Sequence, residues 1–296
     1  MAASTTPDFL VLGHVTRDLM EAGADTPTPL CQAGGTALYA GLAAARLGRQ
    51  VGIVTAWPSR KPLPIELAAV AVAACPSHAV TTFAHRQGPQ GRSLQLQDRA
   101  ADLSYRDVPP SWRDAELVHL APVAGEVPRD AASWFPNSSI LLTAQGWLRA
   151  WDADGWVRPH GAALAVEELQ GISIVVVSEE DFEAARAAVA ESWARQAAAI
   201  VPLVALTRGA RGCTLYAGAA SWDVEASPAA EVDATGAGDV FAAALLIRLA
   251  ETGSVAESAS FACCAAALSI ESKGTGALPD RDAVLGALAA QRALAD

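Results

Sequence analysis

The sequence predicts an α/β protein: a three-layer α/β/α sandwich around a mostly parallel sheet, with a small additional β region. Short apolar runs alternate with helical patterns from Glu116 onward, which favours βαβ units with right-handed crossovers. The run Phe9–Leu12 is apolar throughout, as expected of a parallel strand that is buried on both faces. A glycine-rich turn at 233–239 precedes the apolar run 240–247, which we interpret as a buried helix.

Composition and charge narrow the function classes. With 296 residues, 52% of them hydrophobic, the chain can bury a large core, and we expect one domain over residues 1–296. A net charge of −11 argues against a nucleic acid or an anionic membrane as partner. The apolar runs are too short to span a bilayer, and no signal peptide pattern begins the chain. Five cysteines without metal-ligand spacing are typical of a reducing cytoplasm.

The turn at 233–239 carries the strongest chemical signal. Asp233 and Asp239 flank Gly236, Ala237 and Gly238, directly before the predicted helix. The first N–H groups of a helix lack internal partners and, with the helix dipole, bind phosphate. Asp239 beside such a site is suited to take a proton from a hydroxyl that attacks phosphorus. The alternative is an ordinary glycine-rich turn that an aspartate caps.

Polar residues also follow the other predicted strands. Asp18 comes soon after the first strand, at the sheet edge where ligands bind in α/β proteins. Its carboxylate can accept hydrogen bonds from two hydroxyl groups at once. Ser178 and Asp181 follow the strand-like run 172–177, and from the residues alone they would form a capping box. The run 65–74 is predicted to be a helix.

Two alternating runs, 79–85 and 92–97, predict a β-hairpin around the turn-like residues 87–91. Arg86 and Arg92 within it could bind an anionic group, although surface positions are the simpler interpretation.

The segment DATGAGDVFAAALL closely resembles the C-terminal signature of ribokinase-like (PfkB-type) carbohydrate kinases. Gly34-Gly35, followed by a small-residue helix that ends in Leu47-Gly48, resembles their N-terminal signature. The usual asparagine of that signature is Tyr39 here. The resemblance implies a ribokinase-like fold and an ATP-dependent kinase. Its catalytic residues would be Asp239 and the amides of 236–238, and Asp18, Gly34, Gly35 and Tyr39 would bind the substrate.

The same resemblance implies the donor site and the lid. The nucleotide contacts would be made by five residues of the C-terminal half: Thr207, Gly209, Gly212, Thr235 and Gly274. Magnesium would be held through water near Asp181 and Asp233, with Glu180 as an alternative to Asp181. Strands from about 14–33 and 79–107 would form a small β lid over the substrate, and the protein would be a monomer or a homodimer through that lid.

The acceptor is left open by the sequence. Gln145 and Arg149 have a spacing that resembles the inositol and nucleoside kinases of the family. The resemblance to the carbohydrate kinases implies a small sugar or polyol as acceptor, with a nucleoside kinase of the same fold as the alternative. The departures at Tyr39, Ser178 and Asp181 also admit a non-catalytic sensor that binds nucleotide or sugar.

Overall fold

The computed structural model describes residues 6–20, 30–88, 91–160, 164–182 and 186–295. Five α-helices form in these ranges: α1 Thr36–Arg46, α2 Arg186–Ala197, α3 Ala237–Thr252, α4 Val255–Ser269 and α5 Arg281–Ala295. The strands in the same ranges are β1 Phe9–Leu12, β2 Thr16–Met20, β3 Leu30–Gly34, β4 Val51–Trp57, β5 Ala71–Pro76, β6 Thr82–Gly88, β7 Gly91–Asp98, β8 Leu117–Leu120, β9 Ser139–Thr143, β10 Arg149–Trp151, β11 Val157–Pro159, β12 Ile174–Ser178, β13 Leu203–Thr207, β14 Cys213–Ala217 and β15 Ala220–Val224.

The main sheet is mostly parallel, as predicted. In the described part of the chain its order is β15-β14-β13-β12-β9-β8-β1-β4-β5. The strands from β13 to β5 in this order run parallel, and β14 and β15 are antiparallel at one edge. Because parallel strands all point the same way, the loops that follow β1, β8, β9, β12 and β13 lie along one edge of the sheet.

Both faces of the main sheet are covered, which gives three layers. Successive side chains of a strand point to opposite faces. Phe9 and Val11 of β1 therefore pack into one core with α1, α3, α4 and α5, and Leu10 and Leu12 pack into the other. The second core includes residues of α2 and of several 3-10 turns, so that face is covered less regularly than the first.

The prediction of a helix over 65–74 is wrong. Ile65–Ala69 forms a 3-10 turn, and Ala71–Pro76 is the edge strand β5, parallel to β4. Ile65 is 82% exposed, so a helix over this segment would bury little apolar surface. Pairing of residues 71–76 with β4 instead satisfies backbone groups of β4 that would otherwise lack partners. Asp181 closes a 3-10 turn, Glu179–Asp181, and does not belong to α2.

The hairpin predicted over 79–97 is confirmed as β6 and β7, which belong to a second sheet of order β3-β2-β6-β7. We call this the small sheet. The strands β10 and β11 form a separate two-stranded hairpin, which the sequence did not predict, and Trp156 bridges it to Gln95 of β7. Arg86 lies in β6, half-buried. The side chain of Arg92 lies outside the described residues.

All five cysteines are free thiols. In the described ranges, none of the helices has both the length and the apolar character that crossing a membrane requires.

Candidate active site

The glycine-rich turn forms the beginning of α3. Gly236 is the N-cap residue, with a φ of +83° that favours glycine. Asp233 closes the turn by accepting the Thr235 N–H through Oδ1 at 3.0 Å. The Ala237 N–H donates to the Ala234 carbonyl at 3.2 Å, so it is engaged within the turn.

Two of the three predicted amides remain available to a ligand. Among the residues that the structure describes, neither Gly236 N–H nor Gly238 N–H donates to a protein acceptor. A Cβ built on Gly238 would have no other atom within 4 Å, so open space borders this turn. Free amides, open space and the positive end of a sixteen-residue helix together form an anion site.

Tyr39 packs against this turn from the protein core. Its side chain is 2% exposed and belongs to the first core. A Cβ on Gly236 would lie 2.3 Å from Tyr39 Cδ1, so the ring packs directly against the turn. This placement favours a packing role for Tyr39 over the substrate contact that the resemblance implied.

Asp239 lies half-buried in the first turn of α3. The pKa of this carboxyl group is raised from 3.8 to about 6, mainly by burial and to a smaller extent by the nearby carboxylates of Asp18 and Asp181. A hydrogen bond with Thr36 and the positive charge of Arg149 act in the opposite direction. A carboxylate with a pKa near 6 is ionised at neutral pH and is still basic enough to receive a proton.

Asp18 is the middle residue of β2 in the small sheet and is 6% exposed. Its Oδ1 accepts the Thr16 hydroxyl at 2.8 Å, and its Oδ2 lies 3.4 Å from His85 Nε2. A Cβ on Gly34 would lie 2.3 Å from that Oδ2, which explains the glycine there. Gly35, with a φ of +90°, is the N-cap residue of α1. A Cβ on Gly35 would lie 2.5 Å from the His14 carbonyl oxygen.

Arg149 faces the aspartates. Burial lowers the pKa of its guanidinium group, whereas the carboxylates of Asp181, Asp239, Asp18 and Glu126 raise it. The guanidinium carbon lies 5.9 Å from the centre of the Phe83 ring, on β6 of the small sheet. The side chain therefore lies where the two sheets meet, and it is a cation among several acids.

Asp181 and Ser178 form the capping box that the sequence allowed. Ser178 N–H donates to Asp181 Oδ2 at 2.8 Å, and the Ser178 hydroxyl accepts the Glu180 N–H at 3.2 Å. Burial raises the pKa of Asp181, while this backbone bond and Arg149 lower it. In the described residues no group of three or more His, Cys, Asp or Glu side chains could hold a metal ion directly. A divalent cation would therefore depend on phosphate oxygens and water for most of its ligands.

Thr207 lies at the end of β13, opposite Ser178 in the register of β12, so both reach the edge that carries the site. The loop after it is fixed by Arg208, which pairs with Glu179 at 2.7 Å and with Glu191 at 2.9 Å. Gly212 has a φ of +80°, and a Cβ there would lie 2.0 Å from the Val224 carbonyl.

Open space borders the other two predicted nucleotide glycines. A Cβ on Gly209 would have nothing within 4 Å. Gly274, which begins a 3-10 turn between α4 and α5, has equally open surroundings.

The structure thus groups Asp18, Asp181 and Asp239 around Arg149. Two residues of this environment were absent from the sequence-based prediction. Thr36, the first residue of α1, follows Gly35 directly, so its position beside a glycine turn was a usable signal. Glu126 follows β8 in an unremarkable loop, and no pattern in the sequence indicates it.

Comparison with known proteins gives one family match, over part of the chain. The model of the pfkB family carbohydrate kinases matches residues 143–281, which contain the turn at 233–239 and Arg149. No curated protein matches the chain by sequence.

Solved structures share the fold over nearly the whole chain. A pyrophosphate-dependent kinase in the ribokinase family, in a sulfate complex, is 18% identical, covers 94% of this chain and 99% of its own, and has a TM-score of 0.78. A fructokinase with bound ATP from Xylella fastidiosa is 18% identical, with coverages of 96% and 99% and a TM-score of 0.77. A ribokinase from Arabidopsis thaliana, complexed with ribose and ATP, is 20% identical, with coverages of 96% and 99% and a TM-score of 0.72.

At these identities the structural similarity establishes the ribokinase-like fold. The predicted fold class and the resemblance to the PfkB-type kinases are confirmed, and the family match together with these neighbours supports a kinase.

Proposed function

We propose, from its place among the PfkB-type carbohydrate kinases, that this ribokinase-like protein transfers the γ-phosphoryl group of ATP to a hydroxyl of a small sugar or polyol. The observation that carries the proposal is the position of Asp239. Its carboxylate has a pKa of about 6 and lies at the start of a helix whose Gly236 and Gly238 amides meet no acceptor in the part of the protein that the structure describes.

In the proposed reaction an acceptor hydroxyl oxygen forms a bond to the γ-phosphorus, and the bond to the β–γ bridging oxygen breaks. Asp239 receives the hydroxyl proton, and ADP leaves with the electron pair of the broken bond. The amides of Gly236 and Gly238 would donate to the oxygens of the transferring group, each contributing on the order of 3 kcal/mol. Arg149 would balance the negative charge that accumulates between donor and acceptor.

Asp18 would hold acceptor hydroxyls, since its carboxylate lies on the small sheet and acts electrostatically on both Asp239 and Arg149. The small sheet would then serve as the lid over the acceptor. At the donor end, Thr207, Gly209, Gly212, Thr235 and Gly274 would contact the nucleotide. Mg²⁺ supplies charge neutralisation when bound to the phosphates, and Asp181 and Asp233 would hold its water ligands.

The five free thiols fit a reducing compartment, so we assign the reaction to the cytoplasm.

Pyrophosphate is a second candidate donor, because a structure with a TM-score of 0.78 is described as a pyrophosphate-dependent kinase. The anion site at α3 would contact phosphate groups only, so it fits either donor. A nucleoside acceptor is the second candidate at the other end of the site.

A panel assay tests the proposal. The protein would be incubated with ATP or pyrophosphate and with sugars, cyclitols and nucleosides in turn, and donor consumption and product mass would be measured. We expect ADP release that requires one class of acceptor, a product heavier by one phosphoryl group, and no product from Asp239→Asn. Donor and acceptor binding without any product in the whole panel would contradict the kinase and favour the sensor.

A further inference from the structure

Glu126 is a fully buried carboxylate outside every motif of the chain. It accepts backbone N–H groups from two separate loops: His14 N–H at 2.8 Å, Val123 N–H at 3.1 Å to each oxygen, and Ala124 N–H at 2.7 Å. A carboxylate that only accepts hydrogen bonds in a buried site is held firmly, because an unmade bond there is costly.

The buried His14 ring lies beside Glu126, with its Nδ1 3.9 Å from Oε1, and both ring nitrogens have other hydrogen-bond partners. The Nε2–H of His14 donates to the Ala101 carbonyl at 2.9 Å, and Nδ1 lies 2.7 Å from the Thr81 hydroxyl. That hydroxyl also accepts the Ala100 N–H at 2.9 Å, so it links the His14 ring to the backbone after β7. All the hydrogen bonds within 3.5 Å that Glu126 accepts in the described residues thus come from backbone amides.

The turn that Glu126 holds, residues 123–126, supports Arg149. The Val123 carbonyl accepts Arg149 Nη1 at 3.4 Å, and Glu126 is among the carboxylates that act electrostatically on this arginine. The same turn receives the end of the small sheet, because Arg99 Nε donates to the Ala124 carbonyl at 2.8 Å and Leu103 N–H donates to the Glu126 carbonyl at 2.9 Å.

We propose that Glu126 is a positioning residue that aims Arg149 at the acceptor side of the site by fixing the 123–126 turn. This inference rests on the proposed function, because only the proposed kinase reaction defines an acceptor side of the site. Glu126 touches no reacting atom itself. Its removal would release Arg149 from one carbonyl and one counter-charge, and would leave the α3 turn and its anion site intact.

A ligand-independent assay tests the position of Arg149. Phenylglyoxal, which modifies accessible arginines, would be applied to the full-length protein and to Glu126→Gln, and modification would be followed peptide by peptide. We expect Arg149 to react several-fold faster in Glu126→Gln, with the surface residue Arg292 unchanged. Asp107→Asn is the matched control, because Asp107 also accepts a backbone N–H, at 2.8 Å from Ser104, but in an exposed turn. Equal rates at Arg149 in the wild type and Glu126→Gln would overturn the inference.

Kinetics supply a second readout that a merely structural role would not give. With ribose, fructose, myo-inositol and adenosine as acceptor probes, Glu126→Gln should raise the acceptor KM at least tenfold and leave the ATP KM unchanged. In an Arg149→Gln background the Glu126 substitution should add no further loss, because it acts through that arginine. Equal losses for both substrates, or losses that multiply, would contradict the inference.

If Glu126→Gln does not fold, Glu126→Asp, which keeps the charge but has a shorter reach, would be used in both assays with the same expected direction. If no probe is phosphorylated, the proposed function fails, and the phenylglyoxal rates still decide the role of Glu126.

Discussion

The two glycine turns of this protein precede two helices that pack together, yet their glycines serve different ends. Before α1, a Cβ added to Gly34 would lie 2.3 Å from the Asp18 carboxylate, and one added to Gly35 would lie 2.5 Å from the His14 carbonyl. At Gly238, in the first turn of α3, it would meet nothing within 4 Å. The first turn is closed by the protein itself, and the second is open to a ligand.

The difference separates positioning from binding. The α1 turn brings backbone close to Asp18 and places Thr36 against Asp239, so it orients both of these acids. At the α3 turn two amides meet no acceptor among the described residues and open space borders Gly238, which is what a phosphate requires. Gly236 combines both properties, because its amide is free while its α-carbon rests on Tyr39.

The largest expected effect is at Gly236. Gly236→Ala would place a Cβ in the Tyr39 ring at a φ of +83°, so the turn must move. We expect turnover to fall on the order of a thousand-fold and the free energy of unfolding to fall by about 2 kcal/mol. Gly238→Ala should leave stability unchanged but lower turnover about a hundred-fold, because the methyl group enters the ligand space. Steady-state kinetics and urea unfolding would measure both.

Gly286→Ala is the control for this pair, since Gly286 also has open surroundings but lies within α5. It should keep full activity. Unchanged activity in Gly238→Ala would mean that the open space at the α3 turn is not used by the donor.

A smaller and one-sided effect is expected at Gly34. Gly34→Ala would push the Asp18 carboxylate away from its position, so the acceptor KM should rise between about ten- and a hundred-fold while the donor KM stays constant. Gly52→Ala is the matched packing control, because its Cβ would lie 2.8 Å from Pro7 and 3.0 Å from Trp112, far from the acids of the site. If both substrates lose affinity equally in Gly34→Ala, the α1 turn does not act on the acceptor side alone.

Thr36 allows a test of the acid–base assignment. As a base, Asp239 must be ionised, so kcat/KM should fall as the pH drops through about 6. The Thr36 hydrogen bond lowers the pKa of Asp239, and Thr36→Val should therefore move the acid limb of the profile to higher pH. Thr36→Ser, which keeps the hydroxyl, should leave the limb in place. An identical acid limb in all three proteins would mean that the ionisation of Asp239 does not set the pH dependence of kcat/KM.

Much of this arrangement could be predicted from sequence, and the exceptions have physical causes. The buried strands and α3 were predictable because apolar runs bounded by glycine give a strong local signal, as at Phe9–Leu12. The edge strand β5 was not, since its alanine-rich run has no clear period and its conformation depends on pairing with β4. Tyr39 was expected at the substrate because of its motif position, whereas its burial depends on a helix some two hundred residues away.

Glu126 shows the same limit within the site. Its partners come from the loops after β1 and β8, which are adjacent only because the strands are parallel neighbours. No spacing along the chain encodes that contact.

The smallest effect concerns stability and leaves activity unchanged. His119 is fully buried on β8 beside Thr143, and desolvation lowers its pKa to about 3. The unfolded state then binds more protons between pH 6.5 and pH 3, so stability is lost as the pH falls through that window. The loss from pH 7 to pH 5 should be about 2 kcal/mol. His119→Gln should remove it in urea unfolding, and the exposed His78→Gln should not; equal losses in all three proteins would contradict this origin.

The most direct test of the account measures binding and turnover in Asp239→Asn together. The α3 turn and its amides do not depend on the charge of Asp239, so a non-hydrolysable ATP analogue should bind the variant as it binds the wild type in calorimetry. Turnover of the acceptor that the panel identifies should fall on the order of a thousand-fold. A variant that retains turnover, or one that loses the nucleotide along with it, would contradict the assignment of Asp239 as the base beside an independent phosphate site.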